Sequence, residues 1–446
     1  MTEMVEGIAP ERRPPFGGRP AVGPRGAKTQ RRILLAALEV FAEHGYHDSS
    51  VEQITAAAGC SRPSFYQYFS SREDVFRALA AFVGRSVAEM TERVGPITPD
   101  AAGRAALVAW MRELAAFYDE YAPVFTGFSA AVRSDTGLAD ASAAVNAGLG
   151  KALSPRLAVD GDVDQEVVAR IVVTMIVRAN LLRRAVSGLV GRERFVESLA
   201  DVLHRVLLGP ALDPVGGDEP AHGNGRGSTA VPAPSAAGRA SARRAGPAGP
   251  EPDGAAAQRA LSPQGERMRA RIIEAGRAVF PRRGFHETRI DDVVEAAGAS
   301  HGSFYRYFAS KEDLFQAIAA DAATRLLAGL QAFPADGGDA EALRTWLHGW
   351  FDLYAAHGGI IAIWRETQFP GHELEDLSRD VAKGALDVLL QAVGDRAVGD
   401  PLVDAMALLG LVETVPHHVH AFGYFSQATA VDALVVIIRR GFLAVR

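Results

Sequence analysis

Residues 61–69 read SRPSFYQYF, and residues 300–308 read SHGSFYRYF. Phe65, Tyr66, Tyr68 and Phe69 recur as Phe304, Tyr305, Tyr307 and Phe308, while Arg62, Pro63 and Gln67 become His301, Gly302 and Arg306. The likeness extends outward from this peptide. A shift of 239 residues lays 33–79 over 272–318 without a gap, with 20 identities in 47 positions. They include Phe41/Phe280, Gly45/Gly284, Gly59/Gly298, Ser61/Ser300 and Glu73/Glu312. A period this long marks a duplicated domain rather than a solenoid. Past residue 80 the likeness decays, with Trp110 opposite Gly349.

Each copy reads as helix, short connection, helix, glycine turn, short helix and long helix. Ile33, Leu34, Ala37, Val40 and Phe41 recur at helical spacing, and Gly45 supplies the stop. Ser49 or Ser50 can cap the helix SVEQITAAAG, and Gly59 and Cys60 make the turn. Ser61 then takes the N-cap position, with Pro63 near the helix start, where its missing N–H costs little. Two helices joined by a short glycine-containing turn form a helix-turn-helix unit, whose second helix enters the DNA major groove. Phe65 and Phe69 share one face and anchor the short helix to the core. The tyrosines read either as amphipathic core residues or, beside a helix N-terminus, as phosphate-holding groups. Arg62 and Gln67 are long enough to reach base edges, arginine preferring guanine and glutamine adenine. One departure is Pro281, expected to disturb the last turn of the first helix in copy two.

Both halves read as helix with no convincing period-2 run, so the class is all-α, and the length suggests two or three domains. The 446 residues exceed one ordinary core. A net charge of −6 requires any DNA-binding surface to be local. The sole cysteine, Cys60, excludes a disulfide framework and a thiolate-rich metal site. No signal peptide or membrane span is legible, which implies a cytoplasmic protein without a membrane partner. Basic charge rests on 43 arginines and 4 lysines, a coding bias rather than a mechanism. Residues 213–260 contain only Val215 and Val231 among Val, Ile, Leu, Met, Phe, Tyr and Trp. Such a segment buries too little apolar area to order itself, and as a coil would span roughly 38 Å.

Both modules resemble the DNA-binding domain of the TetR/AcrR family of one-component repressors. The stretches AAAGCSRPSFYQYFSSREDVF and EAAGASHGSFYRYFASKEDLF carry that resemblance. It implies two fused units and the following division. Residues 1–27 form a basic arm, 28–80 the first helix-turn-helix domain and 81–210 a helical ligand-binding and dimerisation domain. A linker occupies 211–264, the second helix-turn-helix domain 265–319 and the second helical body 320–446. By position, the resemblance puts Arg62, Pro63, Ser64 and Gln67 near base edges. Tyr66, Tyr68 and Arg72 would hold phosphates, with Ser49 and Ser50 at the preceding helix start. Their counterparts are His301, Gly302, Ser303 and Arg306, then Tyr305, Tyr307 and Lys311, with Thr288 and Arg289. The partners implied are a double-stranded operator and a small, mostly apolar effector, with no cofactor. The halves would form an intramolecular pseudo-dimer reading two non-identical half-sites, with a further homodimer left open.

Residues 12–38 hold seven basic side chains (Arg12, Arg13, Arg19, Arg25, Lys28, Arg31, Arg32) and no acidic one. They read equally as a minor-groove arm or as a solvated tail. In the bodies, helical patterns fall at about 101–121, 163–187, 191–208, 339–356, 375–393, 400–422 and 428–445. Trp110, Phe117, Tyr121 and Phe125, and Trp346, Trp350, Tyr354, Trp364 and His417, are candidates for lining an apolar pocket; core packing would give the same pattern. His417, His418 and His420 favour pocket or interface roles over a metal site, with Pro416 expected to break the helix. No nucleophile elbow, P-loop, HExxH or cysteine–histidine arrangement points to an enzyme. A ligand-independent architectural or protein-docking factor is the alternative.

Overall fold

Capping residues decide where the helices start. The computed structural model describes residues 23–157, 163–185, 188–208, 262–334, 339–364, 375–394 and 399–443. Helix α1 (Pro24–His44) begins on a proline, whose missing N–H is harmless in a first turn, and ends at Gly45, where φ is +76°. Ser50 caps α2 (Val51–Ala57) in a capping box: Gln53 N–H donates to Ser50 Oγ (3.2 Å), and Ser50 N–H donates to Gln53 Oε1 (2.7 Å). Ser61 caps α3 (Arg62–Tyr66) and Ser71 caps α4 (Arg72–Glu92). The first body follows as α5 (Ala101–Glu120), α6 (Ala122–Ser134), α7 (Thr136–Leu153), α8 (Gln165–Ala185) and α9 (Arg192–Leu208). The sequence patterns mark α5, α8 and α9 but not α6 or α7.

The second half repeats the module as α10 (Pro263–Arg283), α11 (Ile290–Ala297), α12 (His301–Tyr305) and α13 (Lys311–Gln331). Its body is α14 (Ala340–Trp364), α15 (Glu375–Val393), α16 (Pro401–His417) and α17 (Gln427–Gly441). All regular structure among the described residues is helical. Residues 1–22, the linker between 209 and 261 and the side chain of Trp364 lie outside the described residues and side chains. The two modules share one internal design. Phe41, Tyr46 and Phe76 pack ring to ring in the first, as Phe280, Phe285 and Phe315 do in the second.

Two prolines behave differently from the sequence reading. Helix α10 runs through Pro281 to Arg283 and stops at Gly284, matching the end of α1. A Cβ on Gly359 would lie 2.9 Å from the Pro281 ring, so glycine there lets α14 approach. Helix α16 runs through Pro416 to His417 and passes into a π-helical turn, His418–Phe422. Pro416 has no N–H for the Val412 carbonyl, but the buried Trp350 indole N–H donates to that oxygen at 2.7 Å. A helix tolerates a proline when the orphaned carbonyl finds another donor.

The halves meet through their last two long helices. Helix α8 packs along α16, and α17 packs on α8 and α9. Helix α16 is buried on nearly every side, from Val403 through Val412 to Pro416. Charge at this junction is sorted by half. Arg178 donates to Glu413 Oε2 from Nη2 (2.7 Å) and Nε (3.0 Å), and Arg194 pairs with Asp400. Arg205 donates to the Gly441 carbonyl (2.7 Å), at the negative end of α17, and approaches Asp404 at 3.4 Å. In each of these pairs the cation comes from the first half and the carboxylate from the second.

Asp404 is fully buried, and loss of hydration pushes its carboxyl up to about 7 against the pull of Arg205. A folded value above the ~3.9 of an unfolded aspartate means that the folded chain holds the extra proton between those values. Its contribution is therefore complete below about pH 4 and lost as pH climbs through 7. Asp404→Asn, which mimics the protonated form, is expected to gain on wild type in urea denaturation as pH rises from 5 to about 8. A wild-type minus variant difference that stays flat over that range contradicts the assignment.

Candidate nucleic-acid interface

The short helices α3 and α12 each have an anchored face and an exposed face. Phe65 is fully buried and Phe69 and Tyr68 nearly so; Phe304 and Phe308 take the same places in copy two. Ser61 Oγ accepts from Ser64 N–H (3.3 Å) and Ser300 Oγ from Ser303 N–H (3.2 Å), setting both helix starts. Arg62, Pro63 and Tyr66 are exposed, with Ser64 and Gln67 half-buried. In the second copy His301, Gly302, Tyr305 and Arg306 are exposed, with Ser303 and Tyr307 half-buried. The three substitutions within the repeated peptide thus all fall outside the core.

Other expected contacts are turned inward. Ser49 Oγ donates to the Gly45 carbonyl (2.5 Å) and Thr288 Oγ1 to that of Gly284 (2.6 Å), both side chains being buried. Arg72 Nη1 donates to the carbonyls of His47 (2.5 Å) and Ser49 (2.7 Å), beneath the Tyr46 ring. Lys311 Nζ donates to the carbonyls of Phe285 (2.9 Å), Thr288 (3.0 Å) and His286 (3.2 Å), and burial pushes its ammonium down. These groups close the loop between the first two helices of each module, where sequence position alone pointed them at phosphates. Ser50 caps its helix, and the exposed Arg289 holds the same place in copy two, its N–H donating to Asp292 Oδ2 (2.9 Å). The imidazoles of the equivalent residues His47 and His286 stack at 4.5 Å, so the modules touch through matching positions. Of the basic arm, Arg25, Lys28 and Arg32 stand exposed on α1, Arg32 reaching the Gly59 carbonyl at 3.3 Å.

Each leading reading residue is met by an acid on the preceding helix, which the sequence pattern did not flag. Arg62 pairs with Glu52, and His301 Nε2 lies 2.6 Å from Asp291 Oδ1. The signal was present in the gapless alignment, because 52 and 291 are equivalent, as are 62 and 301.

The body aromatics divide into core and cavity wall. Phe125 and His417 line a cavity of about 190 Å³ where the halves meet, together with Phe128, Arg178, Thr414 and His418. Trp350 and Tyr354 border a cavity of about 30 Å³ in the second body, with Glu413. Trp110, Phe117 and Tyr121 are buried in packing of the first body. Trp346 stacks on Trp350 and donates to the Gly329 carbonyl (3.0 Å). Among the described residues no group of three or more His, Cys, Asp or Glu could hold a metal ion, and no helix is long and apolar enough to cross a membrane.

A family model described as bacterial regulatory proteins, tetR family, matches residues 33–79 and again 272–318. The chain carries two tetR-family modules in tandem. Its similarity to curated proteins is module-sized. An uncharacterized HTH-type transcriptional regulator of Bacillus subtilis, YdgC, is 38% identical over 15% of this chain and 35% of its own length. The HTH-type transcriptional activator FasR of Mycolicibacterium smegmatis is 41% identical over 16% of this chain and 32% of its own. The repressor AcnR of Corynebacterium glutamicum is 33% identical over 17% and 40%. The chain therefore spans well under two thirds of these relatives' lengths. A TetR-like regulator structure from Rhodococcus sp. RHA1 covers 41% of this chain and 98% of its own, at 25% identity and a TM-score of 0.32.

For these tetR-family modules the inward geometry of Arg72 and Lys311 has a measurable consequence. Arg72→Ala and Lys311→Ala each leave partly buried carbonyls without these donors, at a cost of about 1–3 kcal/mol. Thermal unfolding should shift down in both variants before any DNA is added. An unchanged midpoint would return these two cations to a surface role.

Proposed function

We propose that the chain is a cytoplasmic, sequence-specific transcriptional regulator whose two helix-turn-helix modules read two non-identical halves of one operator. The observation that carries this reading is the repeated, identically capped α3/α12 frame, whose three differences lie on the side away from the core. Arginine and glutamine at 62 and 67 offer guanine and adenine contacts, whereas histidine and arginine at 301 and 306 shift the guanine contact by five positions along the helix. Tyr66 and Tyr305 stand beside those residues as phosphate-holding groups.

The charge-sorted junction supports one chain acting as its own dimer. A two-fold dimer needs a self-complementary patch. Two first halves would instead set Arg178 and Arg205 against a surface without Glu413 and Asp404. A tether also raises the effective concentration of the correct partner. Regulation would then be repression, relieved when a small, mostly apolar molecule enters the bodies. It acts by its differential affinity for the free and DNA-bound arrangements. The cavity where the halves meet supports that route.

Selection of duplexes from a randomised pool, followed by a footprint and light scattering of the complex, tests the reading. One chain on an imperfect inverted repeat is expected. A strict palindrome carrying two chains, with the second modules dispensable, sinks it. Effector candidates are then scored by thermal shift together with DNA affinity, since stabilisation that leaves DNA affinity unchanged does not amount to release.

A further inference from the structure

We infer that Glu52 and Asp291 are specificity-determining residues, each holding the leading side chain of its reading helix in a contact that DNA must open. The inference rests on the regulator reading above and deepens it. Four observations converge. Glu52 lies in the first turn of α2 and pairs with Arg62, the first residue of α3. Asp291 lies in the first turn of α11 and meets His301, the first residue of α12, at 2.6 Å. The four residues occupy equivalent places in the duplicated module, and both members change between copies: long arginine with glutamate, shorter histidine with aspartate. All four side chains are exposed, from 54% for Arg62 to 75% for Asp291.

Exposure decides what such a pair can do. A solvated ion pair contributes little to folding, so the stability of the module does not explain its presence twice. On the DNA-facing side its electrostatic effect is larger. Binding to an arbitrary duplex is driven by cations that displace condensed counterions from phosphates. A carboxylate touching Arg62 cancels that drive and adds repulsion of its own. At a matching site the guanidinium fork gains the O6 and N7 acceptors of a guanine, which replace the carboxylate. At a mismatched site no acceptor replaces it. The acid therefore lowers non-specific affinity more than specific affinity. In the second module the Asp291 carboxylate, in contact with His301, adds the same repulsion of phosphate.

The full-length variants Glu52→Gln, Asp291→Asn and their double test this with a selected operator and an unrelated duplex, titrated between about 50 and about 200 mM salt. Each amide is expected to tighten binding to the unrelated duplex about 3- to 10-fold and to steepen its salt dependence by about one unit. Operator affinity should change less, so the specificity ratio falls, and the double variant should add the two effects because the pairs sit on separate modules. Asp291→Glu, which keeps the charge, should retain wild-type non-specific affinity. A merely structural role would lower the unfolding temperature and leave the unrelated duplex bound as before. Unchanged or weaker non-specific binding in both amide variants overturns the inference while operator binding by wild type still stands. A wild-type chain that fails to discriminate any duplex overturns the regulator reading, and this inference with it.

Discussion

Replacing Arg62 or Arg306 by alanine should weaken binding to the selected operator by about 1–3 kcal/mol, roughly 5- to 150-fold, with a smaller change on unrelated DNA. Both side chains are exposed on the reading helices, Arg62 at the first turn of α3 and Arg306 at the C-cap of α12. An arginine fork that meets a guanine makes two hydrogen bonds, and truncation loses both. For Arg62 the loss is compounded, because Glu52 is left at the surface without its cation. The two variants should relax selectivity at different base positions, one in each half-site. Repeating the duplex selection with each variant reads this directly. If both variants select the wild-type operator with wild-type affinity, the exposed faces of α3 and α12 do not read DNA.

Breaking the Arg178–Glu413 pair should cost about 3–5 kcal/mol of stability, because either single truncation leaves an uncompensated buried charge. Arg178 and Glu413 side chains are only 8% and 16% exposed, and they join α8 of the first half to α16 of the second. The glycine at 410 allows that approach, since a Cβ there would lie 3.1 Å from the Arg178 Cβ. Arg178→Ala and Glu413→Ala should therefore lower the urea midpoint and let the two bodies separate, seen as a larger radius in small-angle scattering. Replacing both by apolar residues, Arg178→Met with Glu413→Leu, should recover much of the loss, since a buried ion pair is seldom worth more than good packing. A single truncation costing under about 1 kcal/mol would mean that the junction does not depend on this pair. Operator affinity measured on the same variants asks whether a loosened junction also spoils the spacing of the modules.

Much of the DNA-facing module was legible because its signals are local. Ser61, Gly45 and their counterparts act within four residues of themselves, and the apolar spacing of Ile33, Val40 and Phe41 reports one buried face. The bodies were less legible. Helix α7 reads TGLADASAAVNAGLGKAL, and its alanines and glycines leave little contrast between an inner and an outer face. Helix α6 opens with Ala122 and Pro123 directly after Tyr121, the residue that caps the end of α5, and the sequence pattern that marks α5 stops there without marking α6. The pocket candidates were legible only as aromatic residues: Phe125 reaches the cavity between halves, and Trp110 is packed away from it.

By itself the sequence determined that one chain carries two modules of the same frame with different exposed residues, joined by a segment poor in apolar side chains. It did so because capping, helical period and repetition are properties of neighbours in the chain. Only the tertiary structure decided the partners. Arg72 and Lys311 turn toward backbone carbonyls because a loop folds under them, and Pro416 stays helical because Trp350 supplies the missing donor. The arginines of α8 and α9 find their carboxylates on α16, some two hundred residues away in the chain. A buried charge or an orphaned carbonyl is settled by whichever element packs against it, and that choice is made by the assembled core rather than by any local run of residues.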